Sequence, residues 1–553
     1  MEQDSGGGHG AAAHPSSAEA LDYLRSFPDW ELGTASSGET YTLERMRRLL
    51  GMLGHPDRAY PIVHVVGTKG KGSTAAMVAS VLEASGYPCG LFTSPHLVEY
   101  RERVRVAGLP IPLDDLSAIV DEALRPAVDQ LRAAGERTPL HFELWCALAF
   151  DYFRRRGVAV AVVEAGLGGR LDATNAVERT ALTVVTTLGY DHMAVLGNTL
   201  TEIAAEKAAV IRSGGQVVSA PQAPEALVVL ERVCREREAV LTLVGGDWRV
   251  ERVREQTGGT AFDLLTAAGE GYRGLWVPLA GAHQAVNAAT AVVALDRLRR
   301  RFPALDERAI RQGLAGVRWP GRLQTAARDP LVLLDGAHNQ ESASALASAL
   351  RQLYPGARFV LVVAVFRDKD AATILAPLLP LAARVIATAT DHPRALPAAD
   401  LASRIRAVSE QSGTMAPVEE APSVAAALDR ARRLAGAGQP SPQEPSPPAP
   451  LPRAGQPSPP TPLPCAGEGS KRQPSPPAHD AWPLGPTRGP TVQRALPTAG
   501  EGSRDASSPT AGVLVTGSLR TVGEAMIHMG IGVGATTDIE ASVDTEIRQG
   551  QGA

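Results

Sequence analysis

The stretch "PIVHVVGTKGKGSTAAMVASVL", residues 61–82, decides the fold. A β-branched apolar run from Ile62 to Val66 passes through a turn with glycines at 67, 70 and 72. It continues into "STAAMVASVLEASG", an Ala- and Leu-rich helix expected to close on Gly86. Strand, glycine-rich turn and helix in that order are the context a phosphate-binding loop requires. The glycines let backbone amides turn inward, Lys71 supplies a point charge, and the helix beginning near Ser73 adds the positive end of its dipole. The loop is off-pattern, because Gly72 follows Gly70-Lys71 and the hydroxyls of Ser73 and Thr74 come one and two places late. A glycine-rich turn alone can also be a tight turn that binds nothing; the Lys, Ser and Thr at the helix start favour phosphate.

Outward from this stretch the same alternation repeats. "VAVAVVEAG", "ALTVVTTLG" and "QVVSA" are short apolar runs separated by amphipathic segments, which predicts an α/β fold with a largely parallel sheet over residues 41–320. "LVLLDGAHN", "ARFVLVVAVF" and "ARVIATAT" form a second such set, so a smaller Rossmann-like α/β domain is expected over 321–435. Residues 436–510 differ: "QPSPP" and "AGEGS" recur with almost no apolar periodicity, a composition that cannot bury enough surface to offset chain entropy. After this tract "AGVLVTGSL", 511–519, resumes as one buried strand, too little for a domain. The tract is therefore expected to be a disordered insertion ahead of the last strand of the second domain, which is completed by 511–535. Loop length is cheap, each doubling costing about 0.6 kcal/mol. Residues 1–40 are expected to be a partly flexible N-terminal segment and 536–553 a flexible tail.

Composition narrows the function classes. At 553 residues and a formal net charge of -4, with Lys and Arg scattered along the chain, no basic tract of the kind nucleic acid or anionic membranes select is present. Cysteines 89, 146, 234 and 465 have no paired spacing, which fits a reducing compartment. The first twenty residues have neither a cationic start nor an apolar core, and no run approaches a membrane span, so a cytoplasmic location is expected.

Polar residues at strand ends carry the chemistry. A buried strand runs straight into Glu164, which is costly there without a partner or a metal. "TSPHL" (93–97) brings Ser94 and "YDHMAVLG" (190–197) brings Asp191 and His192 to further strand ends, where sites in parallel sheets gather. Ser94 also fits an ordinary cap, His192 an ordinary hydrogen-bonded histidine, and Lys207 in "TLTEIAAEKAAVIRSGG" a surface lysine. His283 and Asn287 share one helical face, Arg322 follows a Pro-Gly turn, and Asp335, His338 and Asn339 end a strand.

Taken together, "GTKGKGST", "TSPHL", "HFE", "EAGLGGRLDATN", "GAHQ", "WPGRLQ", "DGAHN", "DKD" (368–370), "HPRA" (392–395) and "VTGSL" resemble the folylpolyglutamate synthase and dihydrofolate synthase family of Mur-type ATP-dependent ligases. The resemblance covers residues 41–435 and 511–526 and leaves out the Pro-rich tract. It implies that Gly70, Lys71, Gly72 and Ser73 bind ATP phosphates, with Asn287, Arg322 and Asp335 completing the nucleotide site. Ser94, Glu164 and His192 are implied as Mg²⁺ ligands, and Lys207 as a carbamylated lysine helping to hold a second magnesium. A dihydropteroate or reduced folate acceptor is implied against His141, Phe142 and Glu143 and against Leu171, Asp172 and Ala173, with L-glutamate meeting His338 and Ser518. Lys71, Lys207, Asp335 and His338 are the implied catalytic set of an ATP-dependent ligase working as a monomer. Departures from the family are Ala165, Lys69 where Asn is common, and Phe366-Arg367; the segment 33–46 matches loosely.

Overall fold

The computed structural model describes residues 17–29, 42–414, 416–436 and 510–532. The Pro-rich tract, the start of the loosely matching segment 33–46 and the expected flexible tail lie outside the described residues.

The opening stretch forms β1 (Ile62–Val66), a turn, and the helix Lys71–Ala84, with Gly86 left-handed just beyond its end. β1 lies inside an eight-stranded sheet whose other members are β2 (Cys89–Phe92), β3 (Val104–Val106), β4 (Leu109–Pro110), β5 (Val160–Glu164), β6 (Leu182–Val185), β7 (Gln216–Ser219) and β8 (Val240–Leu243). The spatial order is β4-β3-β2-β5-β1-β6-β7-β8; β2 and β5 to β8 run parallel with β1, while β3 and β4 turn back as an antiparallel edge. Strand parity sorts the core. Val63 and Val65 pack with the helices Lys71–Ala84 and Ala282–Leu298 on one face, and Ile62 packs with the helix His141–Arg155 on the other. His64, fully buried, shares that second face with its register partner Val163.

Between β8 and the helix Ala282–Leu298 stands an antiparallel sheet of β9 (Trp248–Gln256), β10 (Gly259–Thr266) and β11 (Gly271–Val277). The sequence reading does not anticipate it. β9, "WRVERVREQ", leaves most of its side chains in water, so it lacks the clean apolar alternation that marks a half-buried strand.

The second α/β unit is a six-stranded sheet of β12 (Gln324–Arg328), β13 (Leu331–Leu334), β14 (Arg358–Val363), β15 (Ala382–Ala387), β16 (Val418–Glu420) and β17 (Thr510–Thr516), ordered β12-β13-β17-β14-β15-β16. β17, the strand after the Pro-rich tract, pairs parallel with both β13 and β14 and so lies inside the sheet. Residues 513–515 are fully buried there. Cys89, Cys146 and Cys234 are buried free thiols, and no described helix is long and apolar enough to cross a membrane.

Candidate functional site

The carboxyl ends of β1, β2, β5 and β6 open on a cavity of about 1010 Å³ whose opposite wall comes from residues that precede β12 and follow β13, β14, β15 and β17. The site residues implied by the resemblance all line this cavity except His141; Asn339, beside His338, does not line it either.

The glycine-rich turn is held close to its neighbours. Gly70 is left-handed and a Cβ there would collide with the Asn287 side chain; at Gly72 it would meet Trp319 at 2.8 Å. These are positions where only glycine lets the backbone approach so closely. Asn287 is itself fixed by donating to Gln284 Oε1 at 2.9 Å.

Charge is concentrated under the turn. Glu164 is 4% exposed, and its nearest cation, Lys71 Nζ, is 3.9 Å from Oε1. Burial pushes the Glu164 carboxyl up to about 7, against the pull of Lys71 and of the Ser94 amide that donates to Oε2 at 3.3 Å. Lys207 is equally enclosed, its ammonium donating to the Gly67 carbonyl at 2.9 Å, so it is no surface lysine. Burial, with Lys71 adding repulsion, brings the Lys207 amine down to about 7. His192 caps the short helix Met193–Leu196 in a left-handed conformation, half exposed, with Nε2 3.8 Å from Asp191 Oδ1. Among the described residues no group of three or more His, Cys, Asp or Glu could hold a metal ion.

The facing wall is ordered from its own backbone. Asp335 accepts from Leu323 N and Ala337 N, both at 2.8 Å, stitching the turn that carries Arg322 to the end of β13. Burial raises its carboxyl, and Arg322 opposes the shift. His338 Nδ1 lies 2.9 Å from the Gly336 carbonyl, so the ring donates there and keeps Nε2 as its acceptor. Burial holds this imidazole down to about 4, and it is neutral at physiological pH. Ser518 is the N-cap of the helix Leu519–His528, accepting from Thr521 N at 3.0 Å.

Against the third wall the expected acceptor residues part company. Phe142 reaches the cavity with its ring 5.8 Å from Phe92 and its Cζ end against Gly166, where a Cβ would meet it at 2.5 Å. Glu143 also lines the cavity, but Arg45 grips both carboxylate oxygens at 2.6 and 2.9 Å and the Leu140 amide takes Oε2 at 2.8 Å. His141 is a correction to the sequence reading: it lies behind the wall, 1% exposed, donating to the Leu24 carbonyl at 2.9 Å while its amide holds Pro28 O. A helix's first turn points its side chains in several directions, and only Phe142 and Glu143 of "HFE" point inward. Leu171, Asp172 and Ala173 line the cavity from the loop after β5.

Several lining residues escaped the sequence reading. Asp29 and Tyr100 have no motif around them; Lys69 and Lys369 stand in quoted motifs, but their meeting on Asp191 has no local signal. Lys69 Nζ is 2.8 Å from Asp191 Oδ2 and Lys369 Nζ is 3.6 Å from Oδ1. Burial opposes the charge of Asp191, but Lys69, His192 and Lys369 outweigh it and hold the carboxyl well below its ordinary range.

Comparison with known proteins fits this geometry. The Mur ligase middle domain matches residues 65–295 and the Mur ligase glutamate ligase domain residues 321–439. The dihydrofolate synthase/folylpolyglutamate synthase of Bacillus subtilis is 37% identical over 374 residues, 67% of this chain and 86% of that protein. The crystal structure of Mycobacterium tuberculosis folylpolyglutamate synthase complexed with ADP and AMPPCP superposes with a TM-score of 0.71 at 28% identity, over 93% of this chain and 98% of that one. E. coli FolC in complex with DHPP and ADP gives 0.67 at 27% identity, over 93% and 97%. Two α/β units facing one cavity, a glycine-rich loop backed by a buried carboxylate, and a relative this similar over this length place the chain in the dihydrofolate synthase/folylpolyglutamate synthase family of Mur-type ligases.

Proposed function

We propose that the chain joins L-glutamate to the carboxylate of dihydropteroate, of reduced folates, or of both, at the expense of ATP. The observation that carries this reading is the shared cavity: the glycine-rich loop with Lys69 and Lys71 on one side, and Arg322, Asp335 and His338 on the other.

A carboxylate is unreactive toward an amine until it is activated. The γ-phosphoryl group of ATP passes to the acceptor carboxylate, forming an acyl phosphate and ADP; the amino group of glutamate then attacks the acyl carbon, and phosphate leaves with the bond pair. Gly70, Lys71, Gly72 and Ser73 cradle the phosphates through backbone amides and one fixed cation, and Asn287 and Arg322 complete the nucleotide site. Lys71 neutralises charge on the transferring group. Asp335 holds the Arg322 turn in place. His338, neutral and with Nε2 as acceptor, takes a proton from the glutamate amine as it attacks, and Ser518 orients the amino acid. Enclosure of the cavity keeps water from the acyl phosphate.

The donor set fits magnesium on one physical ground. Glu164 is a buried carboxylate whose nearest counter-charge is 3.9 Å away, and a cation relieves the cost of its ionisation. Ser94, Glu164 and His192 would hold it, and Lys207 would serve a second ion as a carbamate. A buried amine with its pKa near 7 is largely neutral at slightly alkaline pH, adds CO₂ through its lone pair and releases a proton. Magnesium, when bound, spreads the negative charge of the phosphate oxygens. The single chain is proposed to work as a monomer in the cytoplasm.

The test is ADP release with dihydropteroate and with a reduced folate, each with and without glutamate. The ligase requires release that depends on glutamate. Release indifferent to glutamate marks a nucleoside triphosphatase, and tight ATP binding without release marks a non-catalytic nucleotide-binding protein.

A further inference from the structure

We infer that His64, inside the central sheet and outside the cavity wall, is a positioning residue for the acceptor site, acting through Thr174 on the carboxylate of Asp172. The inference rests on the proposed contact of the acceptor with Leu171, Asp172 and Ala173.

His64 is the one polar side chain in β1, "IVHVV", and is fully buried on the face it shares with Val163. A valine or leucine would serve the core there without any hydrogen-bonding demand. Among the described residues the imidazole makes one bond: Nε2 lies 2.8 Å from Thr174 Oγ1, while Nδ1 is buried with no hydrogen-bond partner. Leaving a polar atom unpaired is a cost that packing does not explain.

The chain of donors has one direction. Thr174 Oγ1 donates to Asp172 Oδ1 at 2.5 Å, so its oxygen must accept from His64, and His64 carries its proton on Nε2. The bare Nδ1 is then an unused acceptor, a smaller burden than a buried N–H with nowhere to go. Burial also keeps the ring neutral, its pKa lowered to about 3.

The far end of the chain is in the cavity. Asp172 is 6% exposed and lines it; Oδ1 accepts from the hydroxyl and the amide of Thr174, and Oδ2 accepts from Leu167 N at 2.7 Å. Oδ2 thus retains acceptor capacity for a ligand N–H. Capping the turn Ala173–Ala176 needs only the bond from the Thr174 amide, and any Asp, Asn or Ser supplies that without a histidine beneath it. His64 and Thr174 add what a cap does not need: a fixed rotamer and a polarised hydroxyl on the oxygen that sets where Oδ2 points.

The test compares His64→Leu, His64→Gln, Thr174→Val and Asp172→Asn in the full chain, measuring KM for dihydropteroate, KM for ATP, kcat and melting temperature. Glutamine presents an amide N–H close to the position of imidazole Nε2–H, and leucine presents none. The expected result is an acceptor KM raised about 10-fold in Thr174→Val, which loses the hydrogen bond to the charged Asp172, and raised in the same direction in His64→Leu, which frees the hydroxyl that makes it, with ATP KM unchanged. Glutamine restores most of it, and the Leu/Val double variant is no worse than either single. Variants that lower only the melting temperature, with acceptor KM intact, overturn the role of His64; if the leucine protein does not fold, Thr174→Val decides alone. An unchanged acceptor KM in Asp172→Asn removes the underlying acceptor contact, and the inference with it. A rise confined to Asp172→Asn removes the role of His64 and leaves the contact standing.

Discussion

Asp191 and Asn339 are hydrogen-bonded at 3.2 Å, from a loop of the first sheet to the end of β13 in the second, on the same carboxylate oxygen that Lys69 holds at 2.8 Å. One oxygen atom therefore joins the phosphate loop to the opposite wall of the cavity. With Lys369 3.6 Å from the other oxygen, Asp191 is the anion to which both sides are tied. Asp191→Asn keeps the shape and removes the charge, leaving two cations facing each other. A hydrogen bond to a charged group is worth roughly 1.5–3 kcal/mol, so we expect kcat/KM for ATP to fall about 10- to 100-fold, read by steady-state kinetics.

Glu164 and Lys207 give opposite pH signatures in the ligand-free protein. The Glu164 carboxyl rises from 4.5 to about 7 on folding, so it favours the folded state below pH 4.5 and that contribution is lost as pH climbs through 7. The Lys207 amine falls from 10.5 to about 7, so folding is penalised below pH 7 and the penalty fades between 7 and 10.5. Glu164→Gln should melt above wild type at pH 8, by on the order of 3 kcal/mol at most, and should lose ligase activity. A variant that melts lower than wild type at pH 8 would contradict the buried charge.

Lys207→Ala removes the proposed second metal site and leaves the loop intact. Ligation should be abolished while ATP binding, measured by calorimetry, changes little. Full activity in this variant would exclude a carbamate.

Glu143 is fully engaged by Arg45 and the Leu140 amide. Breaking one side of a buried ion pair typically costs about 3–5 kcal/mol, so Glu143→Ala should act on stability first. A lower urea midpoint with acceptor KM nearly unchanged is expected; a KM effect without a shift in midpoint would restore a direct substrate contact.

β17 separates the fates of two deletions. Removing residues 440–508 leaves every described strand and should preserve folding and ligation. Ending the chain at 436 removes the strand between β13 and β14, and the second sheet should not form, as monitored by limited proteolysis.

Local pattern made much of this molecule legible. The glycine spacing, the apolar run into Glu164 and the strands quoted around them are periodicities of 2 and 3.6 residues, and short-range sterics enforce them. Pairings across the fold were not legible. Arg45 meets Glu143 and Lys69 meets Asp191 across 98 and 122 positions, and no local signal links them. Lys207 looks like any helix lysine until the sheet edge and the Gly67 carbonyl close over it. β9 hides because its charges face water on a strand that buries little, where spacing carries almost no information. His141 was misplaced for a related reason: a motif names neighbours in sequence, and burial decides which of them face the cavity.

The strand order also sets a schedule. β17 begins at Thr510, yet its two neighbours, β13 and β14, begin at Leu331 and Arg358. During synthesis those neighbours emerge first and must wait, their facing edges unpaired, while some 150 further residues are added. All strands of the first sheet are made by Leu243; the second sheet waits for β17. A chain that stops before β17 thus holds the glycine-rich loop but lacks Gly517, Ser518, Leu519 and Arg520 of the facing wall.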